Sequence, residues 1–174
     1  MKILNSSLKN LIEQGELEKF KEKANHRYSI KPKVVHGKGL ASLRGFPTAN
    51  MLVRKFITPP LGVYAVTVKV KNKYYKAAAN LTIRTRVYTG QKNKYLEIHI
   101  FNFNEMIYGK IVKVTFYKFI RPKLQFSENR KELAKQLKKQ LPKDIKNIKD
   151  YFKGLNENRI RKSFNSRSKY STTN

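Results

Sequence analysis

Between residues 63 and 120 the chain writes one pattern four times, with no helical period in between. Val63-Tyr64-Ala65-Val66-Thr67-Val68-Lys69-Val70 alternates and is rich in β-branched residues. Tyr74 to Leu81 follows after the short turn Lys71-Asn72-Lys73, as the second arm of a hairpin does. Tyr95 to Phe101 alternates apolar and polar residues, and Ile111 to Ile120 alternates again. A period of two sends successive side chains to opposite faces of a strand. Parallel neighbours need long crossovers, usually helical, and none is written here. The fold class is therefore mainly β, an antiparallel barrel or sandwich.

The flanks read differently. Residues 1–27 have helical spacing: Leu8, Leu11 and Ile12 follow a Ser6 or Ser7 cap, Gly15 breaks the run, and Leu17, Phe20 and Ala24 resume it. Tyr28 to Val35 has strand character with Pro32 inside it. Residues 36–50, punctuated by Gly37, Gly39, Gly45 and Pro47, read as a loop. From Glu128 the helical period returns through Leu133 and Leu137, Pro142 ends that helix, and Ile145, Ile148 and Phe152 mark a second. The domain expectation is a helical segment over 1–27, a barrel over 28–154 and a flexible basic tail over 155–174.

A hydrophobic share of 40% over 174 residues supports a packed core. The absence of cysteine excludes disulfides and thiolate metal sites. No apolar run reaches the roughly 18–20 residues that span a bilayer, and Met1 to Ser7 is too weakly apolar for a secretory signal, so cytoplasmic placement is expected. A formal charge of +28 attracts polyanions, either nucleic acid or nucleotide phosphates. Abundant Lys, Asn, Ile, Tyr and Phe with no Trp fit A/T-rich codons equally well.

Two clusters carry candidate chemistry. In Gly45-Phe46-Pro47-Thr48-Ala49-Asn50, glycine permits close backbone approach, and Thr48 and Asn50 place two hard oxygen donors on one face of an extended segment. Such donors suit a Mg²⁺ ion that bridges to a nucleotide's phosphates; they equally suit a turn capped by Thr and Asn. In Leu96-Glu97-Ile98-His99-Ile100 the apolar residues share one face, and Glu97 and His99 share the other. Glu97 is a candidate general base for a substrate hydroxyl, or an ordinary solvent-facing carboxylate. No Walker A run, zinc spacing or Ser/His/Asp signature occurs.

The ordered series Val34-Val35-His36-Gly37, Gly45 to Asn50, Gly62-Val63-Tyr64, Leu96 to Ile100, Tyr108-Gly109-Lys110, Phe119-Ile120-Arg121-Pro122 and Phe126 resembles riboflavin kinase over roughly residues 28 to 153. The resemblance implies a six-stranded antiparallel Greek-key β-barrel with C-terminal helices and a short helical N-terminal segment. It implies transfer of the ATP γ-phosphate to the ribityl 5′-hydroxyl of riboflavin, giving FMN, with Mg²⁺ as cofactor. By resemblance Glu97 is the catalytic base, Thr48 and Asn50 hold Mg²⁺–ATP, and Gly37, Gly39, Gly45, Pro47 and Arg121 line the ATP and flavin sites.

Asn5-Ser6-Ser7-Leu8-Lys9 and the run to Tyr28 look like the close of a bacterial FAD synthetase module. That resemblance implies a split or truncated relative of the bifunctional protein, with a separate FAD synthetase as a partner. Some elements depart from the family pattern. Ala41-Ser42-Leu43-Arg44 stands where Gly-Arg-x-Leu is usual, and Asn80 to Val87 lacks the Gly, Pro and Thr of Asn-Ile-Gly-x-x-Pro-Thr-Phe. Asn102 and Asn104 are amides at acidic positions, and Lys123 replaces an acid. The expectation is an active kinase. The alternatives are a catalytically weakened flavin- or nucleotide-binding relic and a basic nucleic-acid-binding barrel.

Overall fold

The structure is a computed structural model that describes residues 4–36, 47–85, 90–123 and 130–155, the side chains of 130–134 and 137 excepted. Its elements run α1 Ser6–Glu13, α2 Leu17–Ala24, β1 Ser29–Ile30, β2 Val34–Val35, β3 Ala49–Leu52, β4 Gly62–Val70, β5 Lys73–Thr85, β6 Lys92–Ile100, β7 Lys113–Pro122 and α3 Arg130–Gly154. The strands form one antiparallel sheet, order β1-β7-β4-β5-β6-β3-β2.

The alternating runs become β4 to β7, and their period explains two cores. Tyr64, Val66 and Val68 of β4 point inward with Ala77, Ala79 and Leu81 of β5, Leu96 and Ile98 of β6, and Val114 and Phe116 of β7. The other face of β4 is apolar too: Val63 and Ala65 join Ala78, Tyr117, Ile145, Ile148 and Phe152 beneath α3. A strand buried on both faces loses its polar alternation, as β4 has. β4 and β5 are joined by a two-residue turn in which Lys71 takes a φ of 52°.

Four expectations change. Seven strands form rather than six, because the run from Tyr28 to Val35 splits around Lys31-Pro32-Lys33, where proline has no N–H to add to a ladder. Residues 49–52, read as the end and flank of a loop, form β3, which fills the slot between β2 and β6. Asn5 rather than Ser6 or Ser7 caps α1, its side chain accepting from the Leu8 N–H at 2.9 Å. Finally, Pro142 does not end a helix: α3 runs through it for 25 residues. Proline in a helix interior costs about 3 kcal/mol. Burial of Ile145, Ile148 and Phe152 offsets that cost, and Gln140 Nε2 donates to Asp144 Oδ1 at 3.0 Å across the proline turn. The Leu133 and Leu137 side chains, Phe126 and the tail from residue 156 lie outside the described residues.

The N-terminal helices pack onto the sheet. Ile12, Leu17 and Phe20 belong to the same core as the strands. Phe20 meets the Tyr28 ring edge-on at 5.6 Å, and Tyr28 stacks on Phe116 at 5.9 Å.

Two buried phenols tie loops to this core. Tyr28 donates to the Ile57 carbonyl and Tyr64 to the Pro60 carbonyl, each at 2.5 Å. Burial pushes both pKa values well above the ordinary 10.0. The unfolded chain therefore releases these protons at a lower pH than the folded one. Their contribution to stability is complete below about pH 10 and falls as pH rises beyond it. Urea midpoints at about pH 8 and about pH 11 should show that loss in the wild type. The Tyr28→Phe/Tyr64→Phe protein should show a smaller loss, while starting about 1–3 kcal/mol less stable from its missing hydrogen bonds. Equal losses in both proteins would refute the assignment.

Candidate active site

The inward set on β6 forces Glu97 and His99 to the outer face. The register then decides their neighbours. Asn50 of β3 lies directly opposite Glu97 on one side, and Asn80 of β5 lies opposite it on the other. Asn50 is almost fully buried, and its Nδ2 donates to the Thr48 carbonyl at 3.3 Å. Thus Thr48, Asn50 and Glu97, drawn from segments far apart in sequence, meet at one place. Pro47 is held there as well, its carbonyl 3.0 Å from His99 Nδ1.

The structure adds a residue that sequence reasoning missed. Arg84, on β5, donates through Nε to Glu97 Oε1 at 3.0 Å and through an Nη to the same oxygen. The same Nη donates to Asn50 Oδ1 at 2.9 Å. Its guanidinium lies 5.0 Å from the Tyr95 ring centroid. A second cation is near: burial lowers the Lys123 pKa, and the Glu97 charge partly opposes that shift. One carboxylate is therefore paired with one cation and feels the charge of a second, a surplus that favours an anionic ligand.

Beside Thr48 opens a cleft of about 290 Å³, lined by Val34, Ile98, Ile100, Phe103 and Ile107 among others. Its wall joins two of the sequence elements. The Gly109 N–H donates to the Val34 carbonyl and the Val34 N–H to the Lys110 carbonyl, both at 2.9 Å. His36 stacks on Tyr108 with ring centroids 4.2 Å apart. Asn104 lines the cleft, while Asn102 takes the positive φ of the turn after β6. Among the described residues no group of three or more His, Asp or Glu gathers as for a protein-only metal cage. Gly37, Gly39 and Gly45 lie outside the described residues.

Arg121 is engaged elsewhere. Its Nε donates to both Asp144 carboxylate oxygens, at 2.9 and 3.0 Å, and Nη2 to Oδ2 at 2.6 Å, which anchors α3 to β7. Nη1 donates to the Pro122 carbonyl at 3.0 Å.

A model of the family described as riboflavin kinase matches residues 24–152. The chain belongs to the riboflavin kinase family. It is 33% identical over 153 residues to the bifunctional riboflavin kinase/FMN adenylyltransferase of Buchnera aphidicola from Schizaphis graminum, covering 87% of this chain and 47% of that one. With the Bacillus subtilis protein of the same description it shares 32% identity over 156 residues, 88% of this chain and 48% of the relative. The chain thus spans about half the length of the curated relatives it matches. Among solved structures, a chain described as a macrolide-efflux protein from Streptococcus pneumoniae superposes with a TM-score of 0.65 at 29% identity, covering 79% of this chain and 44% of that one. Asn50, Arg84, Glu97 and Arg121 lie within the matched span.

The Arg121–Asp144 pair makes its own prediction. Asp144 is 1% exposed, so Arg121→Ala strands a buried carboxylate and should cost about 3–5 kcal/mol in urea unfolding. Arg121→Met/Asp144→Leu should recover most of that loss. A single variant within about 1 kcal/mol of wild type would show that the pair does not hold α3 in place.

Proposed function

We propose that this chain is an ATP:riboflavin 5′-phosphotransferase that makes FMN. The observation that carries the reading is the meeting of Asn50 and Glu97 as cross-strand neighbours, with Thr48 two residues away at the mouth of an apolar cleft. Family membership supplies the substrate class; the residues supply the chemistry.

Glu97 acts as general base. A ribityl hydroxyl is too weak an acid to ionise near pH 7, so its proton moves to the Glu97 carboxylate as its oxygen bonds to the γ-phosphorus. The bond from that phosphorus to the β–γ bridging oxygen breaks, and ADP departs with the electron pair. Because this transfer needs little covalent help, the protein contributes mainly positioning and charge. Arg84 and Lys123 provide positive charge beside Glu97. The cleft walls of Val34, Ile98, Ile100 and Phe103 suit a flat apolar ring such as adenine, with the phosphates directed toward Thr48.

The donor set fits Mg²⁺ held largely by phosphate and water oxygens. Thr48 offers a hydroxyl, and Asn50 Oδ1 has two lone pairs, of which Arg84 takes one. Thr48 and Asn50 are the residues that would hold the ion, whose chemistry is to neutralise charge on the β- and γ-oxygens.

The finer architecture follows the same reading. β1 and β2 are two pieces of one short run, and they pair with β7 and β3, at opposite ends of the strand order. Counted as one bent strand, they close a six-stranded Greek-key barrel. A riboflavin- and ATP-using enzyme in the cytoplasm is the corresponding cellular reading.

Incubation with riboflavin, ATP and Mg²⁺, followed by chromatography, should yield FMN and ADP in equal amounts. Glu97→Gln should lower turnover by about 10²–10⁴-fold with an unchanged melting temperature. Absence of FMN at high enzyme concentration would overturn the reading. Turnover of the Gln variant within about twofold of wild type would remove Glu97 from the base role.

A further inference from the structure

Arg84 stands in the segment whose family pattern is most altered, yet it is the residue that joins the candidate base to the candidate nucleotide-binding strand. Its three hydrogen bonds are unevenly distributed. Two converge on Oε1 of Glu97, and the third goes to Oδ1 of Asn50. Oε2 of Glu97 receives neither. One guanidinium on β5 therefore fixes a carboxylate on β6 and an amide on β3.

We propose that Arg84 is the positioning residue of this site, holding Glu97 by Oε1 so that Oε2 faces the substrate hydroxyl, and holding Asn50 in the rotamer that presents its amide beside Thr48. The inference rests on the kinase reading above. An ordinary surface ion pair contributes little and tolerates many geometries. This one differs in three respects. Arg84 and Glu97 are only about a third and a quarter exposed, Asn50 is 6% exposed, and the Tyr95 ring restricts the guanidinium from one side. The planar fork of Arg can serve two oxygens on two strands at once, whereas a Lys ammonium acts as a point charge on a flexible stem. Charge alone would make the two interchangeable here; positioning makes them unequal.

The sheet explains why the residue must come from β5. Asn80 occupies the position opposite Glu97 and is too short to span to β3. Arg84, four residues along the same strand and on the same face, has the reach to approach Glu97 from the end of the sheet. Its arrival at Oε1 leaves Oε2 outside the three hydrogen bonds that Arg84 makes.

The test measures kcat and both KM values for FMN formation in wild type, Arg84→Ala and Arg84→Lys, with riboflavin affinity read separately from flavin fluorescence. Arg84→Ala should lose at least about tenfold in kcat, with KM values and riboflavin affinity within about threefold. Arg84→Lys should keep charge but recover only part of kcat. Added guanidinium ion should restore part of the Ala variant's kcat, and methylammonium at the same concentration should restore less. Thermal melts identify a variant that fails to fold. If Ala does so, the Lys kcat and the rescue of a milder Arg84→Gln variant decide. A kcat of Arg84→Ala within about twofold of wild type, a loss expressed only in KM, or full activity in Arg84→Lys each overturns the proposal. If wild type itself makes no FMN, the kinase reading falls and this proposal falls with it. If wild type is active and the Arg84 variants match it, the proposal alone fails.

Discussion

The site depends on which face of β6 is dry. Leu96, Ile98 and Ile100 are committed to the inner core, where Leu96 and Ile98 have no exposed surface. With a period of two, Glu97 and His99 have no alternative but the outer face. A one-residue slip would bury a carboxylate and an imidazole and expose three aliphatic side chains. The penalty for that exchange fixes the register, and the register brings Asn50 and Asn80 to either side of Glu97. Position in the site is thus a by-product of hydrophobic burial one residue away on each side.

α3 supplies the complementary constraint. A sheet with both faces apolar in its middle must be covered on the outside, and Val63, Ala65, Ala78 and Tyr117 present that outer patch. Among the described residues the helix packs on β4, β5 and β7, and the candidate base on β6 keeps about a quarter of its side chain exposed. Its placement is fixed by a buried ion pair as well as by packing. The Arg121 guanidinium meets Asp144 with both carboxylate oxygens engaged, and Gln140 adds a further donor. A charge as deeply buried as Asp144 is tolerable only because its lone pairs are occupied.

How much of this was legible in the sequence follows from which interactions are periodic. β5 to β7 could be read because one face of each is buried along most of its length, and β4, buried on both faces, because its run is rich in β-branched residues. β3 could not, since four residues after a Gly- and Pro-rich stretch carry too short a pattern to separate from a loop. The continuity of α3 through Pro142 was hidden because the compensation is tertiary: Asp144 is held by Arg121, more than 20 residues earlier. Thr48, Asn50 and Glu97 could be singled out by residue type and order. Arg84 could not, because nothing local marks it. Its significance lies in a distance across two strands.

The altered segment nevertheless retains a physical function that does not depend on its missing glycine and proline. Glycine at position 82 would free the backbone, but Thr82 lies inside a continuous ladder in which Leu81, Thr82, Ile83 and Arg84 pair in register with Leu96, Tyr95, Lys94 and Asn93. A β-branched residue suits that backbone better than glycine does. Proline at position 85 would remove an N–H where Thr85 still pairs with Lys92. β5 runs regularly to Thr85, and a regular strand fixes the direction in which Arg84 projects. Thr82 and Thr85 thus stand in the ladder of the strand that brings Arg84 to Glu97 and Asn50. Departure from a motif and retention of the geometry it serves are separate matters, and in this segment the ladder, rather than the turn-forming residues, carries the geometry.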